Sequence, residues 1–342
     1  MVFSPSAAKP RTDEDFRLRK NKEFHKKNFV DKRLPVENLN INLAKDFPID
    51  AMHVVDLGVM KRVLNCIVEQ LPKEQREVFS EQYASLASTL PSEFTGRRTR
   101  ALKNLKDFKA VEYRTFLLHT GQVVLKQFLS NEQYKHFLYF SVGIRILNSN
   151  NATAECINLA DEYLKQFVKK FSTFYGENQR VHNVHCLLHL AQHVKNFGPL
   201  YKFSAYKYEN FNYQITQYAK KPSQILEQIA NMVGRNWKHP DAKEKDCTGG
   251  FKISMRDRDA YFKLKDGTIL KVLAINNNSV KGLRFHSAQP LFTEPLDSTV
   301  IGIVLLNITE GNPCEILASE IKFKYICLPY AERIVLTPLL DK

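Results

Sequence analysis

The spacing of apolar residues changes once along this chain, and that change constrains the fold more than any single motif does. Up to residue 236, apolar side chains recur at intervals of three and four, the spacing of helices that bury one face. From Phe251 onward they alternate with polar residues in short runs bounded by turn signals, the spacing of strands. Residues 239–250, from His239-Pro240 to Gly249-Gly250, carry neither period and read as a polar linker. The expectation is a mainly α chain, a helical array over 46–238, followed by a small all-β C-terminal domain over 251–342. A chain of 342 residues that is 44% hydrophobic has enough apolar surface for a sizeable core.

Within the helical part, Met52, Val55, Val59, Val63 and Ile67 predict a helix over 50–71, with Asp50 at its N-cap and Pro72 closing it. A second helix runs from Lys73 to Leu90 and stops at Pro91. Helical patterns follow over 110–129, 131–148 and 152–175, joined by short polar breaks that imply antiparallel neighbours. Their aromatic stripes read as core. Another helix over 178–196 ends at Gly198-Pro199, and two more cover 206–219 and 222–236. In the β part, 260–264 and 268–275 flank Asp266-Gly267 as a hairpin, and 280–285, 299–306 and 321–328 add strands of a small barrel or sandwich. The linker predicts that proteolysis would separate this unit from the helices.

The formal charge is +14 with a pI near 9.4, which favours polyanionic partners: DNA, RNA or an acidic surface. No apolar run is long enough to span a membrane, and the start Met1-Val2-Phe3-Ser4-Pro5 lacks the pattern of a secretory leader. The six cysteines are scattered without a C-x-x-C pair, so neither a disulfide scaffold nor a zinc knuckle is expected. Residues 1–45 read as a basic polar arm. The densest local charge lies over 93–114, where Arg97, Arg98, Arg100, Lys103, Lys106 and Lys109 alternate with Phe94, Leu102, Leu105 and Phe108. Several cations on one segment can displace counterions from a phosphate backbone together, and a solvated helix face has the same composition.

Three constellations could carry chemistry. Asp50 and His53, three apart at a helix start, suit a divalent metal or a proton-transfer pair, and an N-cap aspartate produces the same spacing. His182, His185, His189 and His193 share one helix face, open to a zinc site or to packed and surface histidines. Glu209, in Tyr208-Glu209-Asn210, is either a semi-buried acid or a first-turn residue complementing the helix dipole.

The order of these pieces resembles a known family. It begins with Arg11-Thr12-Asp13 before Phe16-Arg17, then Phe47-Pro48-Ile49-Asp50 with Met52-His53 and Leu57-Gly58-Val59-Met60. Leu90-Pro91-Ser92-Glu93-Phe94, Glu112 with Arg114, Asn183 with His185 and His189, Gly198-Pro199-Leu200 and Tyr208-Glu209-Asn210 follow. Together, over about residues 10–240, they resemble the C-terminal half of CACTA (En/Spm-like) transposases of the animal type, and the β-rich tail is similar to theirs. The resemblance implies part of an RNase H-like core interrupted by a helical insertion, a nuclear location, DNA as partner and two Mg²⁺ ions held by three acids. Asp50 and His53 match the family's D-x-x-H signature and Glu209 its final acid. His185 and His189 remain a weaker metal alternative.

The family's two upstream acids have no match here, since neither Asp13 nor Asp46 lies in a strand pattern. Mg²⁺ wants near-octahedral oxygen ligation, so Glu209 alone makes an incomplete site and no bound Mg²⁺ is expected. The leading expectation is a transposase-derived DNA-binding protein that does not cleave DNA alone, with self-association open. The alternatives are a Mg²⁺-dependent nuclease completed by upstream sequence or another chain, and a non-enzymatic protein-interaction scaffold.

Overall fold

A computed structural model describes residues 2–6, 10–94, 98–238, 251–276 and 279–340. The expected linker 239–250 therefore lies outside the described residues. Helices fill the chain up to Lys238 and an antiparallel sheet follows. The α-helices are α1 (Asp13–Arg17), α2 (Lys61–Gln70), α3 (Lys73–Ser85), α4 (Ala110–Thr115), α5 (Gly121–Val124) and α6 (Asn131–Leu147). They continue as α7 (Ala154–Tyr175), α8 (His182–Cys186), α9 (Leu190–Phe197), α10 (Tyr206–Thr216) and α11 (Ile225–Lys238).

Local chemistry sets these bounds. Ser130 caps α6 by accepting from the Gln133 amide while the Gln133 side chain returns the bond, a capping box. Thr153 caps α7, and Gly176 ends it with φ of 91°. Gly198, with φ of 83°, ends α9 where Gly-Pro predicts a stop. The expected single helix over 178–196 is interrupted by a 3₁₀ turn at Leu187–His189. The expected helix over 50–71 begins instead as a π-helix, Met52–Met60, before continuing as α2. A second π segment, Phe116–Thr120, joins α4 to α5.

The described part of the basic arm consists of α1 and short 3₁₀ turns tied to one another. Arg17 ties to Asp13 and to the carbonyls of Glu37 and Ile41, and Arg19 pairs with Glu37. These guanidiniums are occupied within the protein.

The eight strands are β1 (Tyr261–Leu264), β2 (Ile269–Ile275), β3 (Ser279–Phe285), β4 (Gln289–Pro290), β5 (Val304–Leu306), β6 (Asn312–Leu317), β7 (Ile321–Tyr330) and β8 (Arg333–Pro338). Their order is β4-β5-β8-β7-β1-β2-β3-β6, antiparallel throughout. The order ends at β4 and β6, in the region where the sequence suggested a small barrel or sandwich. The strand expected over 299–306 starts late, because Ser298–Ile301 is a 3₁₀ turn capped by Asp297. β7 pairs with β1 through its first half and with β8 through its second, so it links the two halves of the sheet.

That second half is buried on both faces. Leu305, Ile326, Leu328 and Val335 belong to the core of the helices, whereas Val304, Leu306, Tyr325 and Leu336 face Phe262, Leu270 and Phe285 inside the sheet. Successive strand residues point to opposite faces, so one register serves two cores. Polar ties cross the same boundary. Arg145, buried in α6, donates to the Pro338 carbonyl at 2.9 Å, and His119 meets Thr337 Oγ1 at 3.1 Å. Lys324 reaches Glu93 at 2.9 Å and Asp259 at 2.6 Å. The sheet is thus a wall of the helical core.

Candidate nucleic-acid interface and polar site

The basic segment 93–114 is sorted by the fold into used and exposed cations. Arg97 lies outside the described residues. Arg100 does not belong to the surface patch: it makes a bidentate pair with buried Glu112, at 2.7 and 2.9 Å, and lies over the Phe108 ring. Arg98 is exposed and leans on the Ala87 carbonyl at 3.4 Å. Residues Leu102–Asp107 form a 3₁₀ helix, which repeats every three residues. Leu102 and Leu105 are buried, as is Phe108 in the same phase. The next residue each time, Lys103, Lys106 and Lys109, is exposed. Lys103 and Lys106 therefore lie in line, about 6 Å apart along the axis at ~2 Å rise per residue, and Lys109 follows just past the helix on extended backbone. They form no ion pair among the described residues. The signal was present in the sequence as a period of three, but only the 3₁₀ geometry sets Lys103 and Lys106 in line.

The second site lies at the π-helix. Asp50 Oδ1 accepts from the amides of Met52 at 3.1 Å and Ala205 at 2.7 Å, and from Ser204 Oγ at 3.5 Å. Its Oδ2 accepts from the His53 amide at 3.1 Å and meets His53 Nδ1. Burial alone would raise this carboxyl, but the Ala205 amide and the His53 bonds outweigh it and hold it below the usual carboxylate range. A carboxylate offers about four lone-pair positions. Those of Asp50 are committed to protein donors, so the residue does not fit the role of Mg²⁺ ligand. It caps the π-helix and orients His53, whose side chain is 55% exposed with Nε2 left over.

Glu209 stands one turn along α10 from Ala205, to whose carbonyl its amide donates at 2.8 Å. The residues just before α10, Ser204 and Ala205, are the ones that contact Asp50. Glu209 is exposed and is a first-turn acid rather than a semi-buried one. Among the described residues no group of three or more His, Cys, Asp or Glu side chains is arranged to hold a metal ion.

Asp56, which sequence reasoning did not single out, completes this site. It is 2% exposed, and the Tyr206 hydroxyl donates to its Oδ2 at 2.8 Å. Arg114 lies over the other side of the Tyr206 ring, 5.8 Å from its centroid. Burial pushes the Asp56 carboxyl up to about 7, opposed by Arg114 and the Tyr206 bond. A signal existed: Asp56 precedes Met60 by four and so lies in the buried stripe, where a lone carboxylate is out of place. Asp50 and Asp56 together hold Ala205 and Tyr206, at the base of α10.

The histidines of the 182–193 face have partners within the protein. His185 Nδ1 meets the Ser4 carbonyl at 3.0 Å, and its ring lies against His189 at 5.3 Å. His182 lies 3.5 Å from Cys186 Sγ, and His193 stacks on Phe197. Burial pushes the Cys186 thiol up to about 11, which keeps it protonated and unreactive. Burial likewise lowers His189 and His193, helped by neighbouring histidines.

No helix among the described residues is long and apolar enough to cross a membrane. A family described as a domain of unknown function, DUF8592, matches residues 235–339, the end of α11 through the sheet. Neither a curated protein nor a solved structure matches the chain.

Proposed function

We propose that this is a transposase-derived, nuclear DNA-binding protein that grips the phosphate backbone through Lys103, Lys106 and Lys109. The observation that carries the reading is the set of exposed lysines on and just after a 3₁₀ helix, Lys103, Lys106 and Lys109, in a chain of charge +14. Three exposed cations in seven residues, two of them about 6 Å apart on the 3₁₀ helix, suit a series of phosphates better than a single anion. The transposase origin rests on the ordered motifs of residues 10–240. The family's strand-transfer chemistry is not part of this proposal for the chain alone. Asp50 is occupied by protein donors, and Glu209 is one carboxylate where near-octahedral Mg²⁺ ligation needs several.

The test is a salt titration of duplex DNA binding. Replacing all three lysines by alanine should lower the slope of log K against log salt by about 2–3, near 0.9 per lost phosphate contact. Arg100→Ala, measured alongside, should affect stability and leave the slope unchanged. Absence of wild-type binding at low salt would sink the proposal. A Mg²⁺-dependent nicking assay of wild type against Glu209→Ala addresses the enzymatic alternative, which predicts cleavage that the variant loses.

A further inference from the structure

Residues 2–6 lie against the start of α8, and Arg180 and His185 bind their main chain there. The Phe3 amide donates to the Arg180 carbonyl at 3.0 Å, and Arg180 Nε donates to the Phe3 carbonyl at 2.6 Å. Both backbone groups of Phe3 are thus satisfied by one residue of the body. His185 Nδ1 donates to the Ser4 carbonyl at 3.0 Å. The Phe3 ring stands edge-on to His182 with centroids 5.3 Å apart, and lies 5.9 Å from His185. Aromatic rings attract at such separations. Main-chain bonds accept any extended residue, and the rings add a preference for an aromatic one.

The two sides of this contact are held with different firmness. Arg180 is fixed by Ser172 Oγ at 2.7 Å, and Glu177 lies 3.6 Å from the same guanidinium. His182 rests 3.5 Å from Cys186 Sγ, and Val184 and Leu187 anchor the same turns in the core at 0% exposure. The segment has no such anchor: Phe3 is half-buried, and Val2, Ser4, Pro5 and Ser6 are exposed. A segment with little buried apolar surface and solvent-exposed hydrogen bonds opens at low cost, while the surface beneath it keeps its shape. We propose that Arg180, His182 and His185 form a docking site for an extended peptide in which an aromatic residue precedes a small polar one, and that residues 2–6 occupy it in cis and close it to such a partner. The segment seated on the surface sets the chemistry of that partner. This gives His182 and His185 a role in recognition.

Fluorescence anisotropy on the full chain tests the inference, with a labelled, end-capped Val-Phe-Ser-Pro-Ser peptide as the probe. A tethered segment competes at an effective concentration in the millimolar range, so a free peptide with a dissociation constant of about 100 µM is weakened about tenfold. Phe3→Ala removes the ring that seats the cis segment, and this variant should bind the probe about tenfold more tightly than wild type. The probe with Ala in place of its Phe should bind neither protein. Adding His182→Ala to Phe3→Ala should weaken binding about three- to tenfold, the worth of one aromatic pair. His182→Phe in the same background keeps a ring and should keep the affinity, which separates recognition from any change in folding. Equal binding of the probe by wild type and Phe3→Ala would overturn closure in cis, and no binding by either would overturn the docking site. A wild-type dimer that Phe3→Ala converts to monomer would also overturn closure in cis, and would place the segment on a second copy.

Discussion

Asp56 is a carboxylate placed where its charge is least welcome, and its position makes the protein's stability depend on pH. The carboxyl is held at about 7 against an ordinary value of 3.8, with burial as the leading cause. Between those values the folded state keeps a proton that the unfolded state has released, so folding stability falls as pH rises. It is unaffected by this group below about 4 and fully reduced above about 7. In Asp56→Asn the term is absent, while the amide oxygen can still accept from Tyr206. The difference in stability between variant and wild type should therefore grow from about pH 4, by up to ~1.4 kcal/mol per pH unit, and level off near neutrality. Thermal melts from pH 4 to 8 read this directly, and a difference that is flat with pH would place the charge on Asp56 throughout. The same residue shows what single-sequence reading misses. Asp50 announces itself as a cap, with a proline two residues before it and an apolar stripe after it. Asp56 becomes meaningful only through Tyr206 and Arg114, far away in sequence, and no local pattern names those partners.

At the scale of elements, the π-helix Met52–Met60 is the unit that organises the polar site. It carries Asp56 and is preceded by Asp50, and both aspartates meet the start of α10. Gly58 lets it pack. A Cβ there would stand 2.3 Å from Asn183 Nδ2 and 2.8 Å from the His53 carbonyl oxygen. Gly58→Ala should destabilise the protein by about 1–3 kcal/mol through overpacking, measured by urea unfolding. Trimming Asn183 as well should restore only part of the loss, since the backbone contact with His53 remains. Full recovery would instead place the whole conflict in the flexible Asn183 side chain. Helix limits were legible because Ser130, Thr153, Gly176 and Gly198 act locally. The π geometry was not: Met52, Val55, Val59 and Val63 are spaced as in an ordinary α-helix. The π-helix packs against α4 and α8, which are distant in sequence.

At the scale of the whole molecule, the change of period near residue 239 marks a change of secondary structure without marking two independent bodies. The order of helices and then strands was legible, because each period is a local property. The union of the two cores was not, because Leu305, Ile326, Leu328 and Val335 read as ordinary strand residues until α5 and α6 are placed beside them. The polar centre of this junction is Lys324, 1% exposed, set among Glu93, Asp259 and the Lys252 carbonyl, while the Ser92 amide also donates to Asp259. Burial would raise the Asp259 carboxyl, yet the Lys324 and Ser92 bonds hold it below its ordinary value. Lys324→Met keeps most of the buried side-chain volume and removes a cation that both carboxylates share, leaving Arg258 at 3.4 Å from Asp259. Removing one partner of a buried ion pair costs about 3–5 kcal/mol, because the opposite charges stay buried. A cut within 239–250 should therefore leave the helical and sheet fragments of the wild type associated through gel filtration and unfolding together in one transition. In cleaved Lys324→Met the fragments should separate at neutral pH. Acid should narrow the gap between variant and wild type, since Asp259, which Lys324 helps hold below its ordinary value, gives up its charge as the pH falls. Dissociation of the cleaved wild type itself would show that the shared core is too weak to hold the sheet against the helices without the chain that joins them.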